Sequence, residues 1–305
     1  MNFGIIGYGN IARIFEKSIT YTTGTLYAIG SRSVNEKEVN VRVYRDYEEL
    51  LNDENINAIY IALPHLFHKE WIIKSLKHHK AVLCEKPMVL DSKDIDEIKE
   101  EVYKNDAYCL EAFKTKFNDG FTGLKEDLKL IGKIESIYCN FAYDGLGRVN
   151  DYLFDPRQGG ALNDIGSYVV GFILGLVDAP IDHISSYMEY IKGVDSYFKA
   201  SLYFTNGIEG IVEGAIDRNK DRYALIKGDK GTIRIPYYNR IIDYTIETDT
   251  VIERHYPITG DDMTKEIQAL IDDVTNHQNE SQIHSLDDSK YLQEVIELIR
   301  KEANK

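Results

Sequence analysis

Asn2-Phe3-Gly4-Ile5-Ile6-Gly7-Tyr8-Gly9-Asn10-Ile11-Ala12 decides the fold. Residues 2–6 are short, apolar and uncharged, the pattern of a strand buried on both faces of a parallel sheet. Gly7 follows at once. Ile11, Ile14, Phe15 and Ser18 then fall at i, i+3, i+4 and i+7, one face of a helix. The glycines therefore stand at a strand-to-helix turn. Gly7 permits the tight turn, Gly9 lets the main chain approach a pyrophosphate, and Ala12 takes the position where a small side chain packs helix against strand. The N–H groups around Asn10 and Ile11 lack intrahelical partners and lie at the positive end of the helix dipole, which suits phosphate. In this setting the motif predicts a bound dinucleotide; alone it would be a plain tight turn.

The next strand, residues 25–30, ends at Ser31-Arg32. An NAD-preferring site places a carboxylate there for the ribose 2′-hydroxyl. A hydroxyl and a guanidinium occupy the place instead. An arginine binds a 2′-phosphate bidentately and stacks on adenine, so NADP(H) is the expected cofactor, with NAD(H) possible. A third strand over residues 58–63 ends in Leu63-Pro64-His65-Leu66-Phe67-His68. In open α/β sheets ligands bind outside the carboxyl ends of strands, so Leu63, Pro64 and His68 are expected beside the cofactor. For His68, fixing the turn is as natural a role as touching a ligand.

Ala81-Val82-Leu83 leads into Cys84-Glu85-Lys86-Pro87 at the same edge. A charged pair at a strand end is by itself usually a solvated turn. Here it falls where a cofactor would lie, and an ammonium can stabilise the charge that develops on a hydroxyl oxygen as its proton leaves. Pro87 restricts Lys86 to extended geometry. A helix capped by Asp91 or Ser92 and a strand over residues 107–112 complete a strand–helix alternation, the doubly wound α/β pattern. A dinucleotide-binding domain is expected over residues 1–117 and a substrate-binding and oligomerisation domain over 118–305.

The second half carries Gly159-Gly160-Ala161-Leu162-Asn163-Asp164-Ile165-Gly166-Ser167-Tyr168, opening a helix over residues 163–177. Asp164 and Tyr168 are four apart and share a helical face, their Cβ atoms about 6 Å apart. A phenol ionises near pH ~10, so proton transfer by Tyr168 calls for a cation beside it, such as Lys86. The loop over residues 144–160 offers Asp151 and Arg157 as substrate contacts, solvated loop polarity being the plain alternative. The remainder reads mainly as strand. Phe198, Ala200, Leu202 and Phe204 alternate with polar residues, Asn206-Gly207 marks a hairpin, and two amphipathic helices close the chain.

The glycine turn, Glu85-Lys86-Pro87 and the stretch from Gly159 to Tyr168, in this order, resemble the glucose-fructose oxidoreductase/inositol dehydrogenase/rhizopine catabolism (Gfo/Idh/MocA) family over nearly the whole chain. The resemblance implies a Rossmann domain followed by an α+β domain with a large, mostly antiparallel, open-faced sheet. It implies hydride transfer between nicotinamide and a CH–OH or C=O carbon of a sugar, cyclic polyol or diol. Lys86 would contact substrate and cofactor ribose, Glu85 would lie beside the cofactor, Tyr168 would move the proton and Asp164 would position the substrate. The family commonly carries histidine where this chain has Tyr168. That departure matches the branch resembling glucose-fructose oxidoreductase and dimeric dihydrodiol dehydrogenase. The open sheet face implies a homodimer or homotetramer, which light scattering would show as a mass above one chain. Two other readings are a non-catalytic dinucleotide-binding regulator and an NAD-assisted glycosidase.

Bulk properties agree with this. A length of 305 residues suggests two domains. A net charge of −14 argues against nucleic acid or an anionic membrane as partner, though not against a small anion in a local positive pocket. Cys84, Cys109 and Cys139 have no metal-ligand spacing, so no metal is expected; reduced thiols point to the cytoplasm. With residues 2–6 already a strand, no leader peptide is expected.

Overall fold

A computed structural model describes residues 1–36, 39–148 and 151–303. In chain order it contains β1 (Asn2–Ile6), α1 (Asn10–Ser18), β2 (Thr25–Gly30), β3 (Arg42–Tyr44), α2 (Tyr47–Leu51), β4 (Ala58–Ile61), α3 (His68–Lys77), β5 (Ala81–Glu85), α4 (Asp94–Lys104) and β6 (Cys109–Ala112). There follow α5 (Lys114–Phe117), α6 (Asp119–Asp127), β7 (Ile134–Ala142), α7 (Ala161–Leu174), β8 (Ile181–Ile191), β9 (Val194–Phe204), β10 (Glu209–Ala215) and β11 (Tyr223–Gly228). The chain closes with β12 (Gly231–Pro236), β13 (Asp243–Glu247), β14 (Val251–His255), α8 (Thr264–Thr275) and α9 (Leu286–Ala303). No helix among the described residues is long and apolar enough to cross a membrane.

Two compact units result, Met1–Lys114 with Thr259–Tyr291, and Thr115–Ile258 with Leu292–Lys305. The first crossing lies near the expected residue 117. Residues 259–291, expected in the second domain, belong to the first. The reason is local packing. Ile267, Leu270 and Ile271 of α8 are buried, and the Ile271 side chain fills the space that a Cβ on Gly24 would enter. The Tyr108 hydroxyl donates to Asp273 at 2.7 Å and the Ser18 hydroxyl to Asp261 at 2.5 Å.

The first unit holds a six-stranded sheet in the order β3-β2-β1-β4-β5-β6, every pair parallel. Strand order reverses beside β1, the topological switch at which open α/β sheets bind their ligands. The uncharged strands β4 and most of β5 are buried, as the sequence pattern required. The helix expected from Asp91 or Ser92 begins at Asp94; Asp91 still caps the turn before it, accepting from the Lys93 N–H at 3.0 Å.

The second unit holds an eight-stranded sheet in the order β14-β13-β12-β11-β7-β10-β9-β8. It is antiparallel except between β7 and β10. Phe198, Ala200, Leu202 and Phe204 of β9 are buried as their alternation predicts. They share a core with α7 and with Leu292, Val295, Ile296 and Ile299 of α9. Each Val, Leu, Ile or Phe among them contributes about 1.5–3 kcal/mol on full burial. The opposite face is polar and aromatic. There Glu213 accepts from the hydroxyls of Tyr138 and Tyr197 at 2.7 and 2.8 Å and from the Lys220 ammonium.

Candidate active site

In the first unit the loops after β1, β2, β4 and β5 all leave the carboxyl edge of the sheet. Gly7 has φ +87, and its N–H donates to the Gly30 carbonyl at 3.1 Å, tying the glycine turn to the end of β2. A Cβ on Gly7 would come within 2.6 Å of the Ala62 carbonyl oxygen. Gly9 is the N-cap of α1 and no side chain caps the helix there. A Cβ at Gly9 would meet nothing within 4 Å. Ala12 is fully buried. The turn thus presents an uncapped helix N-terminus, including Asn10 and Ile11, beside open space, which fits a dinucleotide phosphate.

After β2, the buried Ser31 hydroxyl accepts from the Val34 N–H at 3.2 Å and so shapes its own loop. Arg32 is exposed and its side chain has no partner among the described residues. Arg45, which sequence reasoning passed over, clamps this loop by donating to the carbonyls of Ser31 and Val34 at 3.0 and 2.8 Å. Nothing in its spacing marks it.

His68 is fully buried, and each ring nitrogen faces a main-chain carbonyl, Pro87 at 2.9 Å and Leu63 at 2.8 Å. Burial pushes the imidazole down, against those carbonyls. The ring pins the Glu85-Lys86-Pro87 loop to the Leu63-Pro64 turn. Of the two roles expected for His68, fixing the turn is the one these hydrogen bonds serve. The Lys86–Pro87 peptide bond is cis. The Lys86 ammonium lies close enough to Glu85 and His68 to act on both electrostatically.

The Glu85 carboxyl accepts from the Tyr60 hydroxyl inside the unit. Burial pushes that carboxyl up, opposed by the Tyr60 hydroxyl and by Lys86 and Lys114. Beside it Glu266 of α8 is 1% exposed and its Oε2 has no hydrogen-bond partner. Burial first, then Glu85, hold Glu266 well above the ordinary carboxyl value; Asp262 and Asp261 add to this and Lys114 opposes it. A carboxyl raised on folding stabilises the fold below its unfolded value, about 4.3. That contribution is lost as pH rises toward the folded value. Glu266→Gln should therefore match wild type near pH 4 and melt higher than wild type at pH 7.5. Thermal melts across that range check it, and parallel curves for the two proteins would refute it.

In the second unit Gly159 and Gly160 are demanded by space. A Cβ on Gly159 would strike the Leu153 carbonyl at 2.2 Å, and one on Gly160, at φ +108, would strike Asp195 Oδ1 at 2.2 Å. Asp195 caps α7, accepting from the Leu162 N–H at 2.6 Å. Burial pushes its carboxyl up to about 6, while the Leu162 N–H and Arg300 oppose this. Of the 14 residues of α7, only Asp164, Tyr168 and Leu174 are not buried, so Asp164 and Tyr168 share the helix's uncovered stripe. Asp164 accepts from the Tyr143 hydroxyl at 2.7 Å, and the Tyr168 ring lies 5.6 Å from that of Phe141. Burial, with Asp164 beside it, drives the Tyr143 phenol pKa up, so Tyr143 stays a neutral donor.

Asp151 and Arg157, expected at the substrate, are both engaged within their own loop. Asp151 accepts from the Leu153 N–H at 2.8 Å and from Arg148 at 2.7 Å. Arg157 pairs twice with Asp155, at 3.0 and 2.8 Å. Short polar side chains beside free main-chain N–H groups satisfy those first.

The family model described as "Oxidoreductase family, NAD-binding Rossmann fold" matches residues 1–113, and the "GFO/IDH/MocA C-terminal domain" matches residues 127–234. The chain is 30% identical to the scyllo-inositol 2-dehydrogenase (NADP(+)) of Bacillus subtilis, over 79% of this chain and 77% of that protein. It is 27% identical to the trans-1,2-dihydrobenzene-1,2-diol dehydrogenase of Mus musculus, over 99% of this chain and 96% of that protein. Its fold matches that of an aldose-aldose oxidoreductase from Caulobacter crescentus with a TM-score of 0.89 at 16% identity, covering 100% of this chain and 97% of that one. On sequence and on fold, the chain belongs to the Gfo/Idh/MocA family and is an oxidoreductase with an NAD(P)-binding Rossmann domain.

Proposed function

We propose that the protein is an NADP(H)-preferring dehydrogenase or reductase that acts on a CH–OH or C=O carbon of a sugar, cyclic polyol or diol. The observation that carries this is the pairing of Asp164 and Tyr168 on the one uncovered stripe of an otherwise buried helix. A solvent-facing helix surface would be polar throughout; here two groups suited to proton transfer and hydroxyl binding are singled out. The names of the relatives, an inositol dehydrogenase and a dihydrodiol dehydrogenase, support the substrate class.

A bound nicotinamide would supply or accept the hydride. The chain's own residues supply the rest. The glycine turn and the α1 N-terminus bind phosphate; Arg32, exposed at the end of β2, meets the 2′-phosphate. Lys86 polarises the reacting oxygen, Tyr168 carries the proton, and Asp164, held by Tyr143, orients the substrate hydroxyl. The outer sheet face, with its tyrosines and paired charges, is proposed to join a second copy in a homodimer or homotetramer. A cytoplasmic setting fits three buried free cysteines.

The test is turnover of a panel of sugars, inositols and vicinal diols with each cofactor. NADP(H) should show a KM at least about tenfold below that of NAD(H), and Arg32→Ala should erase most of the difference. Equal or lower KM for NAD(H) in the wild type overturns the preference.

A further inference from the structure

A cavity of about 490 Å³ opens in the second unit, lined by Arg222, Pro236, Tyr237, Arg240, Ile242 and Asp243. That size suits a small ligand. Arg222 lies with its guanidinium carbon 3.2 Å from the centre of the Phe141 ring, the same ring that neighbours Tyr168. It donates through Nη1 to Asn239 at 3.2 Å, while its Nε is buried and has no partner. Arg240 is exposed, and its side chain has no hydrogen-bond or ion-pair partner among the described residues. No carboxylate among the described residues pairs with either guanidinium. The one acid in the lining, Asp243, is engaged by His255 at 2.6 Å.

This is an unusual balance for a chain of net charge −14. Burying a cation without a counter-charge is unfavourable, and a second cation beside it adds repulsion. Burial holds the Arg222 guanidinium below its ordinary value, and Arg240 pushes the same way. Proteins keep such a pair where an anion completes it, because a guanidinium fork matches carboxylate and phosphate oxygens. Tyr237 adds a wall. Its main chain is held at φ +52, uncommon for a residue with a side chain, and the residue is 59% exposed.

We propose that Arg222 and Arg240 bind a negatively charged substituent of the substrate, a phosphate or a carboxylate, so that the molecule turned over is an acidic sugar or diol and not a neutral polyol. The proposal rests on the reading of Tyr168 as the proton-transfer group, since Phe141 links Tyr168 to Arg222.

Two measurements test it. The first compares kcat/KM for matched pairs in the substrate panel, each neutral sugar against its uronate and its phosphate ester, glucose with glucuronate and glucose 6-phosphate among them. The second titrates inorganic phosphate and acetate calorimetrically into wild type, Arg222→Gln and Arg240→Gln. An acidic member should exceed its neutral parent at least about tenfold, mostly through KM, and the advantage should shrink with added salt. Either glutamine variant should lower that ratio about tenfold and weaken anion binding at least about fivefold. Arg240 is exposed, so its variant reports on the site without disturbing the core. A stronger phosphate arm assigns an ester, a stronger acetate arm a carboxylate. Neutral members preferred in every pair, or anion binding unchanged in both variants, overturns the proposal. Anion binding lost in both variants with no turnover of any panel member keeps this site and refutes the proposed sugar, polyol or diol substrate class instead.

Discussion

Lys86→Ala lowers kcat by at least about a hundredfold at saturating cofactor and substrate, and Tyr168→Phe does the same, the size expected when an acid–base group or its supporting cation is removed. On the proposed mechanism the loss falls on kcat, because both groups would act on charge that exists only as the proton leaves the hydroxyl. Lys86 follows Glu85 at the end of β5, in a loop that His68 ties through Pro87 to the Leu63-Pro64 turn. Alanine there removes a cation and leaves those restraints in place. Phenylalanine at 168 keeps the ring beside Phe141 and removes only the hydroxyl. Cofactor Kd, measured by fluorescence titration, should change less than about tenfold in either variant. If, as proposed, the two groups serve one proton transfer, the double variant should lose far less than the product of the single losses. A kcat within about threefold of wild type for either substitution would sink the assignment.

His284→Ala destabilises the protein by about 3–5 kcal/mol, the cost of leaving a buried carboxylate without its partner. Glu111 and His284 side chains are 4% and 1% exposed, and Glu111 Oε2 lies 3.1 Å from His284 Nε2. The other carboxyl oxygen accepts from the Met88 N–H at 2.9 Å. Burial alone would raise Glu111; His284 and the Met88 N–H outweigh it and hold the carboxyl below its ordinary range. A carboxyl lowered on folding contributes stability above its unfolded value, about 4.3. That contribution disappears as pH falls through the folded value. Denaturant unfolding of His284→Ala, Glu111→Gln and the double variant should show a coupling above about 1 kcal/mol; additivity within about 0.5 kcal/mol would refute it. Met88 follows Lys86 and Pro87, so His284→Ala should also lower kcat, through a loosened loop.

The first unit was legible because its signals are local. An uncharged run such as Ala58–Ile61 can only be a covered strand, and a glycine turn between strand and helix has few uses. Other features leave no local trace. The apolar stripe of α8 looks the same whichever unit it covers. The edge strand Ile181–Ile191 has one buried residue, so it shows no alternation to read. At the proposed site, Asp164 and Tyr168 were marked in the sequence by their spacing and by the glycines before them. Arg222 and Tyr143 were not, since each enters from a different strand end and only the folded sheet brings them to α7. Asp151 and Arg157 have contacts within their own loop that spacing did not foretell.

The return of residues 259–291 to the first unit bears on how the protein is made. A ribosome releases the strands of the parallel sheet early, but α8 emerges only after the whole second unit. Until then Gly24 and Tyr108 lack their cover, and a truncated gene ending near residue 117 would encode an unfinished nucleotide-binding domain prone to aggregation. Fragment studies of the cofactor site therefore call for grafting the late segment onto the early one.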